Sequence, residues 1–517
     1  MKKINRNLNL AARNHKIFVF SLLLLIFLLE CGSKGKEDVS KIVIGYKSDP
    51  LTLDPHLASE VLTISVQSNI FEGLVSFDRD MRIQPALAKS WENPDDLTWI
   101  FHLRQGVKFH DGSLLKASDV KFSLERAKTL PASAMKGNFV TVETIKAIDD
   151  WTIEIKTKGP CGLLLKLLIG VYIIPEGYAK ERGDEYLKEY PVGTGPYRFV
   201  EWMKNDYLCL KANEDYWGGI SKVKEVIFKP IYDRKTAVDF FLQGKADIMN
   251  EIPPEEIGRV ESQPNVYLLK KPGLIVRYLG MNLRKKPFSD LRVRQAINLG
   301  IGKERIVKEI LRERAYLATQ FVSPNVFGYN PEIEEVKYNP EKAKKLLQEA
   351  GYAKGFEISF DVPSVREKLA NEIAKDLAII GIKVKLNLLS VDEFLKRVES
   401  KESQFFLLGS ATVFGDASDF FDDAIHSFSS QRGYGIRNYG GYFNKKLDEL
   451  IEESATLINE TKRLKMLHQA MKMTVDELPR IPLYVEEDIY GVSKRIVWLP
   501  RNDLTIQAKE ISLAKKD

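Results

Sequence analysis

The 517-residue sequence predicts an α/β fold built as more than one lobe. Runs with strand-like alternation are interleaved with helical spacing: Val226–Ile231 precedes Lys235–Leu242, and Phe356–Val362, Leu369–Ile380 and Ile382–Leu388 follow one another. The length exceeds what one hydrophobic core organises, so two or three lobes are expected. A basic and then apolar N-terminal stretch stands outside this pattern and reads as an export address.

That stretch comes first in the chain. Lys2, Lys3, Arg6, Arg13 and Lys16 precede Ile17–Leu29, which is apolar except for Ser21. The run has the length of a signal core and is shorter than the roughly 20 apolar residues of a membrane span. Residues 1–30 are therefore expected to be a signal peptide. Cys31 directly follows and is the candidate lipidation site, with residues 31–40 as the lipid-anchor tether. Glu30 stands where such signals carry a small residue, which leaves an uncleaved anchor as the alternative. The net charge of +6 comes largely from the leader, and the remainder is near neutral, so no nucleic-acid partner is indicated.

Lys41–Tyr46 alternates as a strand, and Leu53-Asp54-Pro55 turns the chain into helical spacing at Val61–Glu72. Thr98–Leu103 and Trp151–Lys156 read as strands. Between them a helix opens at Ala117, with Ser118 or Asp119 as its cap. Tyr197–Trp202 and Tyr207–Lys211 read as a hairpin after the loop Gly193-Thr194-Gly195. Phe288–Leu311 carries helical spacing throughout. Asn339-Pro340 starts a helix that Gly351 stops. Leu447–Leu478 reads as two long helices, and Ile481–Val485 and Asp488–Val492 as two late strands. Besides Cys31, only Cys161 and Cys209 occur, either paired in a disulfide or separate as buried thiols.

Signals for enzymatic chemistry are poor. There is no HExxH, CxxC, GxSxG or phosphate-loop sequence, and Gly193-Thr194-Gly195 lacks the third glycine of a dinucleotide site. His102 and His110 flank a turn but offer too few ligands for a metal site. No catalytic residue, cofactor or metal is expected.

Several blocks carry more information. They are PALAKSWENPDDLTWIFHLRQGVKFHDGSLLKASDVKFSLERA (Pro85–Ala127), VGTGPYRFVEW (Val192–Trp202) with NEDYWGG (Asn213–Gly219), MNLRKKPFSDLRVRQAINLGIGKERIV (Met281–Val307), YNPEKAKKLLQEAGY (Tyr338–Tyr352) and DELPRIPLYV (Asp476–Val485). In content and order they resemble the peptide/nickel family of extracytoplasmic solute-binding proteins of ABC importers, which includes dipeptide and oligopeptide receptors. Physically the first block is mostly scaffold: Trp91, Trp99, Phe101, Leu103, Val107 and Phe109 supply core area, while Arg104 and Lys108 are expected to face solvent.

The resemblance implies a two-lobed periplasmic-binding-protein fold. Lobe I would comprise residues 41–80, 190–282 and 483–517, with an extra subdomain at 81–189, and lobe II residues 283–482. Crossing strands would lie near Met281–Arg284 and Ile481–Val485. The protein would be a monomer in the periplasm or on the outer face of the cytoplasmic membrane. It would close on its solute and deliver it to a membrane permease powered by a separate ATPase.

In the peptide receptors of this family the ligand lies extended and pairs with short strand segments. Carried onto this chain, those segments are Ser59, Glu60 and Val61, and Gly409, Ser410, Ala411 and Thr412. Peptide receptors place an aspartate for the ligand's α-ammonium where this chain has Val413, and a tryptophan where it has Ser410. Asp416 and Asp419 are the candidate substitutes, or else caps of the following helix. Arg366 is the candidate partner for a ligand carboxylate, and Tyr278, Asn282 and Tyr484 are candidate cleft residues near the hinge. A peptide is the expected ligand. A non-peptide solute such as an oligosaccharide, an opine-like compound or a metal chelate is the alternative, with an exported hydrolase or chaperone-like lipoprotein behind it.

Overall fold

The computed structural model describes residues 40–515, of which those from Ile42 onward form one unit. The expected signal (1–30), Cys31 and most of the 31–40 tether lie outside the described residues.

The alternating runs form strands where they were expected. β1 is Lys41–Tyr46, and helix α1 is Val61–Ile70. Then come β2 (Ala88–Asp95), β3 (Thr98–Leu103), α2 (Ala117–Thr129), β4 (Val142–Asp149), β5 (Thr152–Thr157) and the short α3 (Leu164–Leu168). β2–β5 make a separate antiparallel sheet in the order β2-β3-β5-β4. Its apolar face packs with α2 around Trp99, Phe101, Phe109, Val120, Leu124 and Ile153. Lys108 is exposed as expected, but Arg104 is not: it donates to the Ala86 carbonyl at 2.7 Å and lies 4.2 Å over the Trp217 ring. Lys116, not Ser118 or Asp119, is the N-cap of α2. Asp119 reaches back to accept from its amide at 2.9 Å.

Among the described residues the main sheet has eleven strands, ten in one path and the short Ala315–Leu317 paired on Tyr484–Glu486 beside it. β6 (Tyr197–Met203), β7 (Tyr207–Ala212), β8 (Glu225–Pro230), β9 (Ile248–Met249) and β1 form one half. β11 (Phe356–Pro363), β12 (Ile382–Leu389) and β13 (Phe405–Ala411) form the other. Two long strands join the halves: β10 (Val266–Met281) and β14 (Arg480–Ser493). They pair antiparallel from Val266↔Ser493 to Gly280↔Arg480. β10 then pairs with β13 through Ile275–Met281, and β14 with β9 through Gly491 and Val492.

Two expectations are corrected. The two late strands are one strand, β14, because the charged run Glu486-Glu487-Asp488 interrupts the apolar alternation without interrupting the backbone pairing. The ladder between β10 and β14 shifts register between Pro272 and Val276 and again between Arg277 and Tyr278. The helix expected over 288–311 is interrupted: one helix covers Leu291–Gly300, and helical turns resume over Lys303–Arg305 and Ile306–Ile310. The chain turns at Gly300 because that residue packs on Ile380, leaving 2.6 Å for a side-chain carbon, and the Gly302 amide is taken by Asp376 at 2.9 Å.

Each half has its own core, one around Ile44, Val66, Phe71, Leu208 and Trp498, the other around Leu279, Ile297, Phe360, Ile373 and Phe405. Helices α4 (Lys445–Thr456) and α5 (Glu460–Glu477) cover a further cluster with Phe321, Phe420 and Leu467. Cys161 and Cys209 are buried and no disulfide joins them, since one belongs to the small-sheet cluster and the other to β7.

The Gly193-Thr194-Gly195 loop shows why glycine is needed there. The Gly195 amide donates to the Ile70 carbonyl at 2.9 Å, and a side-chain carbon on Gly195 would sit 2.6 Å from that same peptide. Gly195→Ala should therefore destabilise the protein by about 1–3 kcal/mol, read as a lower midpoint in urea denaturation. An unchanged midpoint would mean that the loop yields without cost.

Candidate functional site

A cavity of about 670 Å³ opens against the crossing strands, between the two halves of the sheet. Its apolar wall includes Ile64, Phe71, Tyr172, Leu274, Leu395, Leu408 and Phe414.

The lobe I face is set by a buried turn. Arg126 donates to both carboxylate oxygens of Asp54, at 3.0 and 2.5 Å, and to His56 Nδ1 at 2.8 Å. His56 Nε2 lies 2.9 Å from the Tyr172 carbonyl, and burial lowers this imidazole to about 4, so it stays neutral. The turn delivers Ser59 and Val61 to the cavity wall. Glu60 lies between them but turns away. It caps α1, accepting the Thr63 amide at 3.1 Å, and burial raises its pKa. Two other charges in the wall are fully held. Glu72 accepts from Thr194, Tyr216 and Trp217 at 2.8–2.9 Å. Arg501 donates to Glu510, to Asp503 and to the carbonyls of Phe77 and Asp78.

The opposite face is the end of β13 and the loop after it. Gly409, Ser410 and Ala411 line the cavity, paired on their other edge with Arg277, Val276 and Ile275. Thr412 is buried and does not reach the wall, whereas Val413 and Phe414 do. Asp416 is 2% exposed and lies behind the wall. It accepts the Ser418 amide at 2.9 Å as a helix cap, both guanidinium ends of Arg463 at 2.7 Å, and Lys166 Nζ at 2.5 Å. Although burial acts against it, the two cations hold its carboxyl well below the usual range. Asp419 is on the wall. Burial, then the neighbouring Asp423 carboxylate, raises it to about 6.

The remaining candidates divide. Tyr278 lines the cavity, with Arg480 stacked 4.6 Å from its ring. Asn282 is buried off the wall, bonded to the Lys401 carbonyl at 3.3 Å. Arg366 and Tyr484 are also off the wall. Arg366 donates to Tyr484 Oη at 3.2 Å and to Glu486 at 2.8 Å, so its fork is engaged at the crossing. Lys166, Glu399, Arg437 and Lys509 are charged wall residues that the sequence reading did not find. His102 and His110 do not meet: the first is 3.4 Å from Glu92, the second 3.0 Å from the Gly195 carbonyl. Among the described residues no cluster of three His, Cys, Asp or Glu is arranged to hold a metal ion.

Residues 82–431 match the description of the bacterial extracellular solute-binding proteins, family 5 Middle. The chain belongs to this family. The glutathione-binding protein GsiB of Escherichia coli K12 is 30% identical over 475 residues, spanning 88% of this chain and 91% of the relative. HbpA2 from Haemophilus parasuis matches with a TM-score of 0.84 at 27% identity, covering 92% of this chain and 100% of that one. DppA from Helicobacter pylori, a periplasmic binding protein solved with the peptide STSA, gives 0.71 at 28% identity over 92% and 98%. The family 5 chain described above is thus a two-lobed extracytoplasmic receptor of an ABC importer, from a family of solute-binding receptors rather than enzymes.

In this receptor Asp416 organises the wall without touching the cavity. Asp416→Asn keeps a capping side chain but leaves Arg463 and Lys166 buried without their counter-charge, so it should cost about 3–5 kcal/mol. A depressed carboxyl stabilises the fold above its ordinary value of 3.8, and that contribution is lost as pH falls through the lower folded value. The wild type should therefore lose stability steeply below about pH 4, and Asp416→Asn much less steeply over the same range. Parallel acid-denaturation curves would remove Asp416 from this role.

Proposed function

We propose that the receptor binds short peptides between its lobes, with Asp419 receiving the ligand's α-ammonium. The observation that carries this is the placement of Asp419: it is a half-buried carboxylate in the wall of a largely apolar cavity, just beyond the strand end Gly409–Ala411. A ligand backbone laid along Gly409–Ala411 would add to the sheet as a short strand. Its ammonium would then meet Asp419, a charge pair that closure shields from water. The resemblance located this anchor at Val413, and the apolar Val413 side chain leaves Asp419 as the carboxylate of that loop which faces the cavity. Peptide binding by DppA, and the glutathione named for GsiB, itself a tripeptide, support the same ligand class.

Lobe closure would bend the chain at Pro272–Val276 and Val485–Glu487, where the ladder between β10 and β14 breaks register. The closed form would dock on a permease whose ATPase is a separate chain. We further propose that the receptor acts as a monomer outside the cytoplasmic membrane, tethered by lipid at Cys31 after removal of residues 1–30.

Calorimetry with trialanine and other short peptides tests the ligand. Asp419→Asn should weaken binding by about 10- to 100-fold while leaving the melting temperature within a few degrees. Ligand cations need the ionised carboxylate, and Asp419 stands at about 6 in the free protein, so affinity should fall as pH drops below about 6 and level off above it. Tight binding of sugars with no binding of any peptide would reject the reading. The tether is tested by labelling bacteria with tritiated palmitate: label should appear on the wild type and vanish in Cys31→Ser.

A further inference from the structure

The two halves of the sheet also meet outside the crossing strands. Beside the crossing, Lys271 donates to the Arg501 carbonyl at 2.7 Å, in the segment that supplies Trp498 and Ile506 to the first core. Asn502 comes next. Its side chain accepts from Asn325 of the second half at 3.3 Å, and its amide donates to the Arg79 carbonyl at 2.9 Å. Arg79 and Met81 lie in the tip of the hairpin Val75–Phe77 and Ile83–Pro85, and Arg501 holds the carbonyls of Phe77 and Asp78. Met81 crosses over and is buried in the cluster of Phe321, Phe420 and Leu467. It lies against Gly415, where a side-chain carbon would run into its methyl group. Asp416 follows and holds Lys166 of α3. Just before α3, the Gly162 amide donates to the Ala455 carbonyl at 2.8 Å, and Ile458 packs on the small-sheet core.

Each contact shares a residue or a chain neighbour with the next, so together they form one seam. It starts at the crossing strands, passes Met81 and Gly415, and ends at Gly162 and Ala455. Leu274, Phe77, Arg501 and Lys166 lie along it and belong to the cavity wall, so the seam borders the cavity.

When one rigid body turns on another, only points near the axis keep their contacts. The seam therefore either lies along the axis of closure or parts whenever the lobes open. Its composition favours the axis. Parting would return the apolar side chains of Met81 and Ile458 to water, at a cost that grows with the area exposed. Turning would disturb little. Met81 ends in a pliant thioether, Lys166 reaches Asp416 on a flexible stem, and Gly162 and Ala455 share a single backbone bond. The hairpin tip is the stiff member. Met81 is held at a φ of +64°, uncommon for a residue with a side chain, and the Asp78 carboxylate accepts the Asp80 and Arg82 amides at 2.9 Å. A stiff tip with a pliant end, seated against Gly415, acts as a bearing.

We propose that this seam and the crossing strands together form the axis about which the lobes close, so that the Gly162–Ala455 joint stays made in the open and the closed receptor. Lobe closure itself rests on the receptor reading above, and the seam gives it a direction. The crossing strands alone are a short hinge, which lets the lobes twist as well as close. A second support away from that hinge removes the twist. Ser59 and Val61 then approach Gly409–Ala411 along one path.

The test is hydrogen exchange read by mass spectrometry on the full-length protein, without ligand and with saturating trialanine. The segment around Gly162 should be protected without ligand and keep that protection within about twofold when trialanine binds, while exchange slows at the wall segments Ser59–Val61 and Val413–Phe414. Rapid exchange at Gly162 without ligand, or a larger change on binding, overturns the axis and makes the seam a latch. The second arm needs no ligand. Met81→Ala removes the bearing from outside the cavity wall, and small-angle scattering of the unliganded protein should then give a larger radius of gyration than the wild type. An unchanged scattering curve also overturns the proposal. If Met81→Ala does not fold, the exchange arm decides by itself. If trialanine slows no wall segment, the peptide reading fails and the scattering arm decides alone.

Discussion

Everything in the molecule hangs on one antiparallel pairing, that of Val266–Met281 with Arg480–Ser493. These strands bring the two halves into one sheet, and they also form the back of the cavity through Leu274 and Tyr278. The pairing is regular at both ends and irregular in the middle, where Pro272 has no amide to give and the register shifts before Val276. A ladder continuous over 14 residues would resist bending. One broken at its centre concentrates bending at a few backbone angles. Buried apolar side chains there, Leu274, Val276 and Val485, are flanked by charged ones. Glu486 is held by Arg277 at 2.7 Å and Arg366 at 2.8 Å, and Lys271 donates to the Arg501 carbonyl at 2.7 Å. Ion pairs tolerate small changes in angle and distance better than interlocked apolar side chains do, because the Coulomb attraction falls off gradually while packing is lost abruptly.

The second organising interaction is the Asp416 carboxylate. It fixes the start of helix Ala417–Phe420 and thereby the loop that presents Val413, Phe414 and Asp419. Replacing such a buried triad by apolar residues of equal volume could leave stability unchanged or improve it. The triad's value is therefore positional. Arg463 comes from a long helix of the second half, and Lys166 from the small-sheet subdomain, 250 residues before Asp416 in the chain. A single carboxylate ties both to the loop. The adjacent contact of the Gly162 amide with the Ala455 carbonyl at 2.8 Å runs between the same two regions and leaves no room for a side chain at Gly162.

Much of the fold was legible in the sequence because most elements alternate or repeat with a period that reports the buried face. Reading went wrong where tertiary contacts override period. The helical spacing continues past Gly300, but the approach of Ile380 and the Asp376 carboxylate break the helix there, and it resumes only at Lys303. Glu486–Asp488 looks like a gap between strands because its charges find partners only in the fold. The site was less legible. Ser59, Val61 and Gly409–Ala411 came from resemblance, and spacing gave no means of telling Asp416, a cap, from Asp419, a wall residue three positions on. Lys166 left a signal that went unread: it is the only charge within Leu163-Leu164-Leu165-Lys166-Leu167-Leu168, and a lysine in such a run requires a buried partner. Arg366 shows the opposite error. Its place before a helix suggested a ligand contact, yet its fork is taken by Glu486 and Tyr484.

The same electrostatics explain how an apolar cavity can be selective. Phe71, Tyr172, Leu395 and Phe414 offer area, which rewards any ligand of suitable size and distinguishes few. Selection then falls to groups that lose water when the lobes close. Asp419 is already pushed toward neutrality by burial in the free protein, so a ligand that leaves it unpaired adds a desolvation cost to the closed form. In the proposed peptide mode, a ligand lowers that cost by presenting positive charge to Asp419. Closure therefore rewards the arrangement of charge on the ligand more than its total. A receptor built this way rejects wrong ligands mainly through the closed state they cannot stabilise.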